Sequence, residues 1–225
     1  MGSPDFLPLG LVSSYEQAIP PLAPWRLRGE FLCALSLIEI QSVRHLLPSG
    51  TRPLPVLPGK TFGGIVLADY SPDSTLTYHE LIAFPAIVWH QGRVGAWIEW
   101  ISVDNLRSLK GGRELFGLPK TWLDFNWQKG QSSEIRVYNE GEPVLTVAYK
   151  PSFGGLRSPV WAPAFGQVGS AITWFQGSGS ALLSPVRGEL NVPTESPLAG
   201  WGFERPVILF NGHNINLKVG AIHPT

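Results

Sequence analysis

Gly112-Arg113-Glu114-Leu115-Phe116-Gly117-Leu118-Pro119-Lys120 is the stretch on which the reading of this chain turns. The chain holds six lysines, and this one closes an otherwise apolar segment, with Leu115, Phe116, Leu118 and Pro119 before it and Trp122 and Leu123 after. Burial disfavours the ammonium form of a lysine, and a neutral lysine is a nucleophile directed at carbonyl groups. An exposed lysine with a pKa of ~10.4 is neutral in only about one molecule in a few thousand at pH 7. A lysine after proline in a turn is also what a solvated loop charge looks like, its stem lying over apolar surface. The residues alone leave both readings open.

Outward from this stretch, residues 104–115 carry helical spacing, with Asp104 as the expected cap and Leu106 and Leu109 three apart. The Gly111-Gly112 pair argues against a strong helix there. Elsewhere 25 glycines and 21 prolines punctuate the chain at short intervals, a spacing that suits many short strands. Strands are predicted at 30–40, 61–70, 78–89, 93–103, 122–127, 134–138, 144–150, 182–190 and 207–222, with two helical turns at 41–47 stopped by Pro48. Tyr78, Glu80 and the run Leu81-Ile82-Ala83-Phe84 share one of these strands. One mainly β (α+β) domain over residues 1–225, barrel-like, is the fold this pattern predicts.

Composition removes several function classes. Seventeen basic residues balance seventeen acidic ones, so no excess charge favours a nucleic acid. Charged residues make up 15% and hydrophobic residues 44%, which implies a large core or surface hidden in a homo-oligomer. Cys33 is the single cysteine, so no internal disulfide and no cysteine-based metal cluster is available. The five histidines lack metal-ligand spacing, and neither a Gly-x-Ser-x-Gly elbow nor a dinucleotide loop is present. The reading is therefore no metal and no cofactor. Met1-Gly2-Ser3-Pro4-Asp5 is not the start of a secretory signal, and no uninterrupted apolar run reaches about 18 residues. A cytoplasmic protein without a membrane span is expected.

The motif Gly112-Arg113-Glu114-Leu115, with Pro119-Lys120 four residues on, resembles the active-site segment of the acetoacetate decarboxylase family. That family is a recognised case of an activated lysine, which forms a Schiff base with a β-keto acid. Weaker similarity covers most of the chain. It includes Glu30 through Pro48, with Arg44 and Pro48 in matching places, and Pro197 through Pro224. A second resemblance lies inside the first. Thr61-Phe62-Gly63-Gly64, Leu67-Ala68, Tyr70, Glu80-Leu81 and Ile87-Val88-Trp89 are similar to a branch that includes plant neoxanthin-deficiency proteins. The resemblance implies a cone-like closed β-barrel with surrounding strands and a few short helices.

It also implies a site. Lys120 becomes the Schiff-base amine, and Glu80, where the family has a pocket acid, faces it to orient the amine or carry protons. Read alone, Glu80 is equally a strand-edge residue with its carboxylate in water. Arg28 is the candidate for a substrate carboxylate, although an ungapped comparison puts the family's arginine on Gly29, and a one-residue slip turns a side chain to the other face. Phe62, beside glycines that replace a family acid, and Trp122 are read as substrate-binding positions. Those paired glycines suggest a bulge, room for a larger ligand, or packing. Trp89, Trp97, Trp100, Trp122 and Trp127 are candidates to line an apolar cavity. Thr121 stands where the decarboxylases have a second lysine, which weakens the case for β-keto acid decarboxylation itself.

The functional expectation is a lyase or aldol-type enzyme acting through Lys120 on a small-molecule keto or aldehyde metabolite. The alternative is a non-catalytic protein of the same fold that holds a hydrophobic ligand such as a carotenoid or polyketide. If Lys120 is simply desolvated, Lys120→Met should leave stability unchanged or slightly raised.

Overall fold

The computed structural model describes residues 7–152, 154–220 and 223–224. Strands run β1 (Trp25–Glu39), β2 (Arg52–Pro53), β3 (Lys60–Tyr70), β4 (Tyr78–Phe84), β5 (Ile87–His90), β6 (Arg93–Trp97), β7 (Trp100–Val103) and β8 (Lys120–Trp122). They continue as β9 (Asp124–Gln128), β10 (Ser133–Asn139), β11 (Glu142–Lys150), β12 (Leu156–Val168), β13 (Ala171–Pro185), β14 (Arg187–Asn191), β15 (Ile208–Val219) and β16 (His223–Pro224). Helices are α1 (Val12–Gln17), α2 (Ile40–Val43) and α3 (Leu106–Phe116).

Two sheets form. The large one is mixed, in the order β2-β5-β6-β12-β13-β15-β1-β3-β4-β7-β8, with β16 on β13; the small one is β14-β11-β10-β9. The large sheet curls, because β1, β3, β4, β6, β12, β13 and β15 all send side chains into one cavity. It does not close. Its end strands, β2 of two residues and β8 of three, have no ladder between them. The expected closed barrel is therefore corrected to an open, curled sheet, since strands this short offer too little edge to seal the seam.

Period-2 alternation gives the central strands two apolar faces. On β1, Leu32 and Ala34 face the small sheet with Ile65 and Leu67 of β3 and Leu81 and Ala83 of β4, against Ile135, Leu145 and Val147. The opposite side chains, among them Trp25, Leu27, Val66, Ala68, Tyr78 and Ile82, face the cavity. Burial on both faces is why these strands read as apolar runs rather than clean alternations.

The predicted strands fall into place with several differences: 122–127 divides at Leu123 between β8 and β9, and 182–190 divides at Val186 between β13 and β14. Residues 78–89 divide at Pro85-Ala86 into β4 and β5, and 93–103 divide at Ile98-Glu99 into β6 and β7. β12 and most of β13 were not expected, because prolines and glycines disguise them. Pro159 and Pro163 fit in β12 because its second flank pairs with β6 only at Ala164 and Phe165. Residues 221 and 222 of the last predicted strand lie outside the described residues.

A row of charged groups crosses the side of the large sheet that faces β9. Glu30 pairs in register with Asp69, and Asp69 with His79. Lys129 reaches both Glu30 and Asp69, and His79 Nδ1 lies 2.6 Å from Asp104 Oδ2 while its ring stacks on Phe125. The hydrogen bond to Asp104 raises the His79 pKa above its ordinary 6.5; burial and Lys129 oppose this, and the charges of Asp104 and Asp69 add to it. A raised folded-state pKa stabilises the fold fully below the unfolded value and loses that stabilisation as pH rises through the folded value. The urea midpoint should therefore fall as pH is raised from about 6.5 through the folded pKa. His79→Gln should flatten that slope, and a slope unchanged in the variant would remove His79 as its cause.

Candidate functional site

Lys120 opens β8 immediately after Pro119, and β8 pairs parallel to β7 with Lys120 opposite Ile101. Glu80 lies on β4, two strands away, on the cavity side with Tyr78 and Ile82. The two meet inside the molecule: Lys120 is 2% exposed and Glu80 5%. Lys120 Nζ donates to Glu80 Oε1 at 2.6 Å and to Ser108 Oγ at 3.0 Å. Tyr70 donates its hydroxyl to Glu80 Oε2 at 3.1 Å. Nζ also stands 5.2 Å from the ring centre of Tyr78 and 5.7 Å from that of Trp25, a setting that favours positive charge on this nitrogen. Burial, and after it the Glu80 carboxylate, pushes the phenols of Tyr70 and Tyr78 well above their usual range. Both therefore remain hydroxyl donors.

The helix that carries Ser108 is shaped around the lysine. Asn105, not Asp104, caps α3, its Oδ1 accepting from the amides of Arg107 and Ser108; Asp104 is held by His79. The expected cap is thus shifted by one residue, because the imidazole captures the aspartate. Gly111 and Gly112 lie within the helix for a steric reason. A Cβ on Gly111 would stand 2.6 Å from the Trp25 ring, and one on Gly112 would stand 2.3 Å from Lys120 Cδ. Each glycine in a helix interior costs about 1 kcal/mol against alanine, and here the loss admits Trp25 and the lysine stem. Gly117 ends the helix in the left-handed conformation, and Leu118 N donates to the Gly112 carbonyl, which turns the chain toward Lys120. Arg113 Nε donates to the Lys120 carbonyl at 2.7 Å and fixes the backbone there.

The cavity beyond the pair has a volume of about 630 Å³. Its wall is apolar and aromatic, with Trp25, Phe31, Phe84, Phe116, Phe175 and Phe210 among its residues. Of the tryptophans singled out in the sequence, none lines it; Trp25 and Trp161 do. Trp97 and Trp100 instead bond to Glu99 and Ser102 through their indole N–H groups.

The remaining sequence candidates lie elsewhere. Arg28 is exposed on the opposite side of β1 from Leu27. The β1–β15 ladder does contain a bulge between Gly29 and Phe31, but its extra residue belongs to β15, next to Asn214 with φ 46°. The alternation of β1 is therefore not reset, and Arg28 stays outside. Gly29 takes the cavity-side phase, at φ 133°, and a Cβ there would lie 2.0 Å from the Asp69 carbonyl, so that position holds no side chain. Phe62 is half-buried past the end of the cavity wall, and Trp122 faces a small separate cleft near Tyr138. Gly63 and Gly64 mark no bulge, since the β1–β3 ladder runs through both unbroken and the β3–β4 ladder begins at Gly64 without a register shift. They allow close packing: a Cβ on Gly64 would meet the Ala34 carbonyl at 2.6 Å and the Phe84 ring at 2.9 Å. Thr121 is buried on the side away from Nζ, within 2.8 Å of Ser102 Oγ. Among the described residues no group of three His, Cys, Asp or Glu side chains is placed to hold a metal ion. Among the described residues no helix is long and apolar enough to cross a membrane.

The family model described as acetoacetate decarboxylase (ADC) matches residues 6–181, and the chain belongs to that family. Protein NEOXANTHIN-DEFICIENT 1 of rice is 31% identical over 137 residues. That match takes in 61% of this chain and 43% of the rice protein, so the chain spans less than half of that relative. The fold is similar to that of acetoacetate decarboxylase from Legionella pneumophila, with TM-score 0.70 and 14% identity over 91% of this chain and 88% of that one. The enduracididine biosynthesis enzyme MppR in complex with pyruvate gives 0.64 and 15% identity over 92% and 91%.

Two measurements probe this arrangement. Lys120→Met strands the Glu80 carboxylate in the interior, and loss of one member of a buried pair costs about 3 kcal/mol or more. The neutral effect expected from desolvation alone is therefore replaced by a clear drop in the urea midpoint. Adding Glu80→Leu to Lys120→Met should recover most of the loss; additive losses would deny the coupling. Separately, Gly112→Ala should keep the helical circular dichroism signal while pushing the lysine stem aside, and borohydride trapping at Lys120 should fall at least about 10-fold.

Proposed function

We propose that this protein is an imine-forming enzyme of the lyase or aldol type, in which Lys120 is the amine and Glu80 moves its proton. The observation that carries the proposal is the buried Lys120–Glu80–Ser108 cluster set into the wall of an apolar cavity. An ammonium must shed a proton before it attacks a carbonyl carbon, and Glu80 Oε1 at 2.6 Å is placed to receive it. Ser108 keeps Nζ in position, and Tyr70 holds the other carboxylate oxygen. Attack forms the C–N bond. The former carbonyl oxygen then leaves as water with the proton that Glu80 returns. The iminium that results carries its charge where the faces of Tyr78 and Trp25 favour it. That cation accepts the electron pair of a neighbouring C–C or C–H bond, and Glu80 is within reach of the proton that leaves. The pyruvate complex of MppR, a protein of the same fold, supports a carbonyl compound as the substrate.

Decarboxylation of acetoacetate is the less supported version of this chemistry. No arginine reaches the cavity wall among the described residues, and Thr121 points away from the amine. A Thr121→Lys substitution would bury a charge against Ser102 rather than set one beside Lys120. A second reading, a binding protein for a hydrophobic ligand, draws on the apolar wall and on the likeness to the rice protein.

Borohydride reduction in the presence of ketones and aldehydes, followed by peptide mass mapping, separates the two. The expected result is a reduced adduct on Lys120, absent from Lys120→Arg, whose guanidinium stays charged. Glu80→Gln should slow its formation about 100-fold. Co-purified lipid or pigment with no adduct from any carbonyl compound would favour the binding protein.

A further inference from the structure

The charges in the cavity wall indicate what its occupant lacks. Among the described lining residues Lys120 is the one cation and Glu80 the one anion, and they satisfy each other. Arg26 and Arg28, near the wall along the chain, stand on the opposite side of β1. A carboxylate entering this space would shed its hydration, meet an amine already paired, and lie close to the charge of Glu80. The hydroxyls of Tyr70 and Tyr78 add polarity at the same end of the cavity, next to the amine. The rest of the wall is hydrocarbon and aromatic.

Size points the same way. At roughly 30 Å³ of liquid volume per water, a cavity of about 630 Å³ corresponds to about 20 water molecules. A four-carbon keto acid uses a minor part of that space. Each further methylene taken out of water adds to binding in such a wall. The wall also extends from Lys120, 2% exposed, to Trp161, 62% exposed, so a chain with its carbonyl at the amine has a route toward the surface.

We infer that the substrate is an uncharged apolar ketone or aldehyde of roughly 10–20 heavy atoms without a carboxylate, its carbonyl carbon at Lys120 Nζ and its tail directed along Leu27, Phe31 and Leu217 toward Trp161. This rests on the imine chemistry proposed above. The ammonium of Lys120 and the carbonyl compound give one iminium and one water. The C–N bond forms first, giving a carbinolamine, and its C–O bond then breaks to release the water; Glu80 holds the transferred proton between the two events. No further reactant is required. Because the substrate has no carboxylate to lose, the step that follows the iminium is breakage of a C–H or C–C bond beside it, as in enolisation or a retro-aldol cleavage.

The test compares three probes with the full chain: 2-decanone, 2-oxodecanoate, which has the same chain with a carboxylate on the carbonyl carbon, and acetone. Borohydride trapping at Lys120 is measured as half-saturating probe concentration. The expectation is that 2-decanone saturates at a concentration at least about 10-fold below each of the others. The ketone wins despite the keto acid's more reactive carbonyl. Ala162, an exposed residue of the cavity wall, tests the route of the tail: Ala162→Trp should shift preference away from 2-decanone toward acetone. A 2-oxodecanoate adduct formed as readily as that of 2-decanone would overturn the substrate class and leave the imine chemistry standing. The absence of a Lys120 adduct with all three probes would instead remove the imine reading.

Discussion

A charged amine and a carboxylate, 2.6 Å apart and both withdrawn from water, form the constraint around which this fold is arranged. Neither charge is tolerable alone at that depth, and each needs its remaining hydrogen-bonding capacity filled. Ser108 serves the amine and Tyr70 the carboxylate. The demands spread outward from there. The helix carrying Ser108 must approach the lysine stem closely, which forces glycine at 112. The same helix must pass the Trp25 ring, which forces glycine at 111. Propensity is given up at two successive helical positions, one to admit the lysine stem and one to admit the Trp25 ring.

The cavity depends on a second irregularity. β15 carries one more residue than the strands on both of its flanks, at the shifts opposite Gly29 and Phe31 of β1 and Ser180 and Leu182 of β13. The extra residue bends β15 and changes which of its side chains face inward. Phe210 lines the cavity before the bulge; Ile215, Leu217 and Val219 line it after. β1 keeps its own phase, so Trp25, Leu27, Phe31, Cys33 and Leu35 all face the same space while Arg26 and Arg28 do not. Cys33, enclosed by this apolar wall, has its thiol pushed up to about 12 by burial and is held as an inert hydrophobic group.

The proposed imine chemistry draws on membership in the acetoacetate decarboxylase family and on the buried lysine, and the proposed substrate class on the apolar wall around that lysine. The two are compatible. An iminium is an electron sink whatever bond is broken next to it, and in the proposed reaction the wall would select which carbonyl compound arrives. The rice protein shares sequence with this chain over 137 residues, so the branch and the family are recognised in one molecule.

Much was legible without coordinates. The motif ending at Lys120 identified the family, and β-branched and aromatic runs between turn residues located β1, β3, β10, β11 and most of β15, because strand periodicity and turn chemistry are local properties. β12 and β13 were hidden because proline is excluded from strands only where a neighbour needs its missing N–H, and the lack of such a neighbour is a fact of sheet order. The cap at Asn105 and the reason for Gly111-Gly112 were hidden for a similar reason: His79, Trp25 and Lys120 reach them from distant elements. Sequence by itself determined that a lysine in an apolar segment belonged to a mainly β chain of this family. The resemblance put Glu80 opposite that lysine; only the tertiary structure added Ser108 and the tyrosines around the pair, and left Arg28, Phe62 and Trp122 outside the cavity. The facing of a side chain depends on strand phase and on a bulge in a neighbouring strand, and neither is written in the residues that carry the side chains.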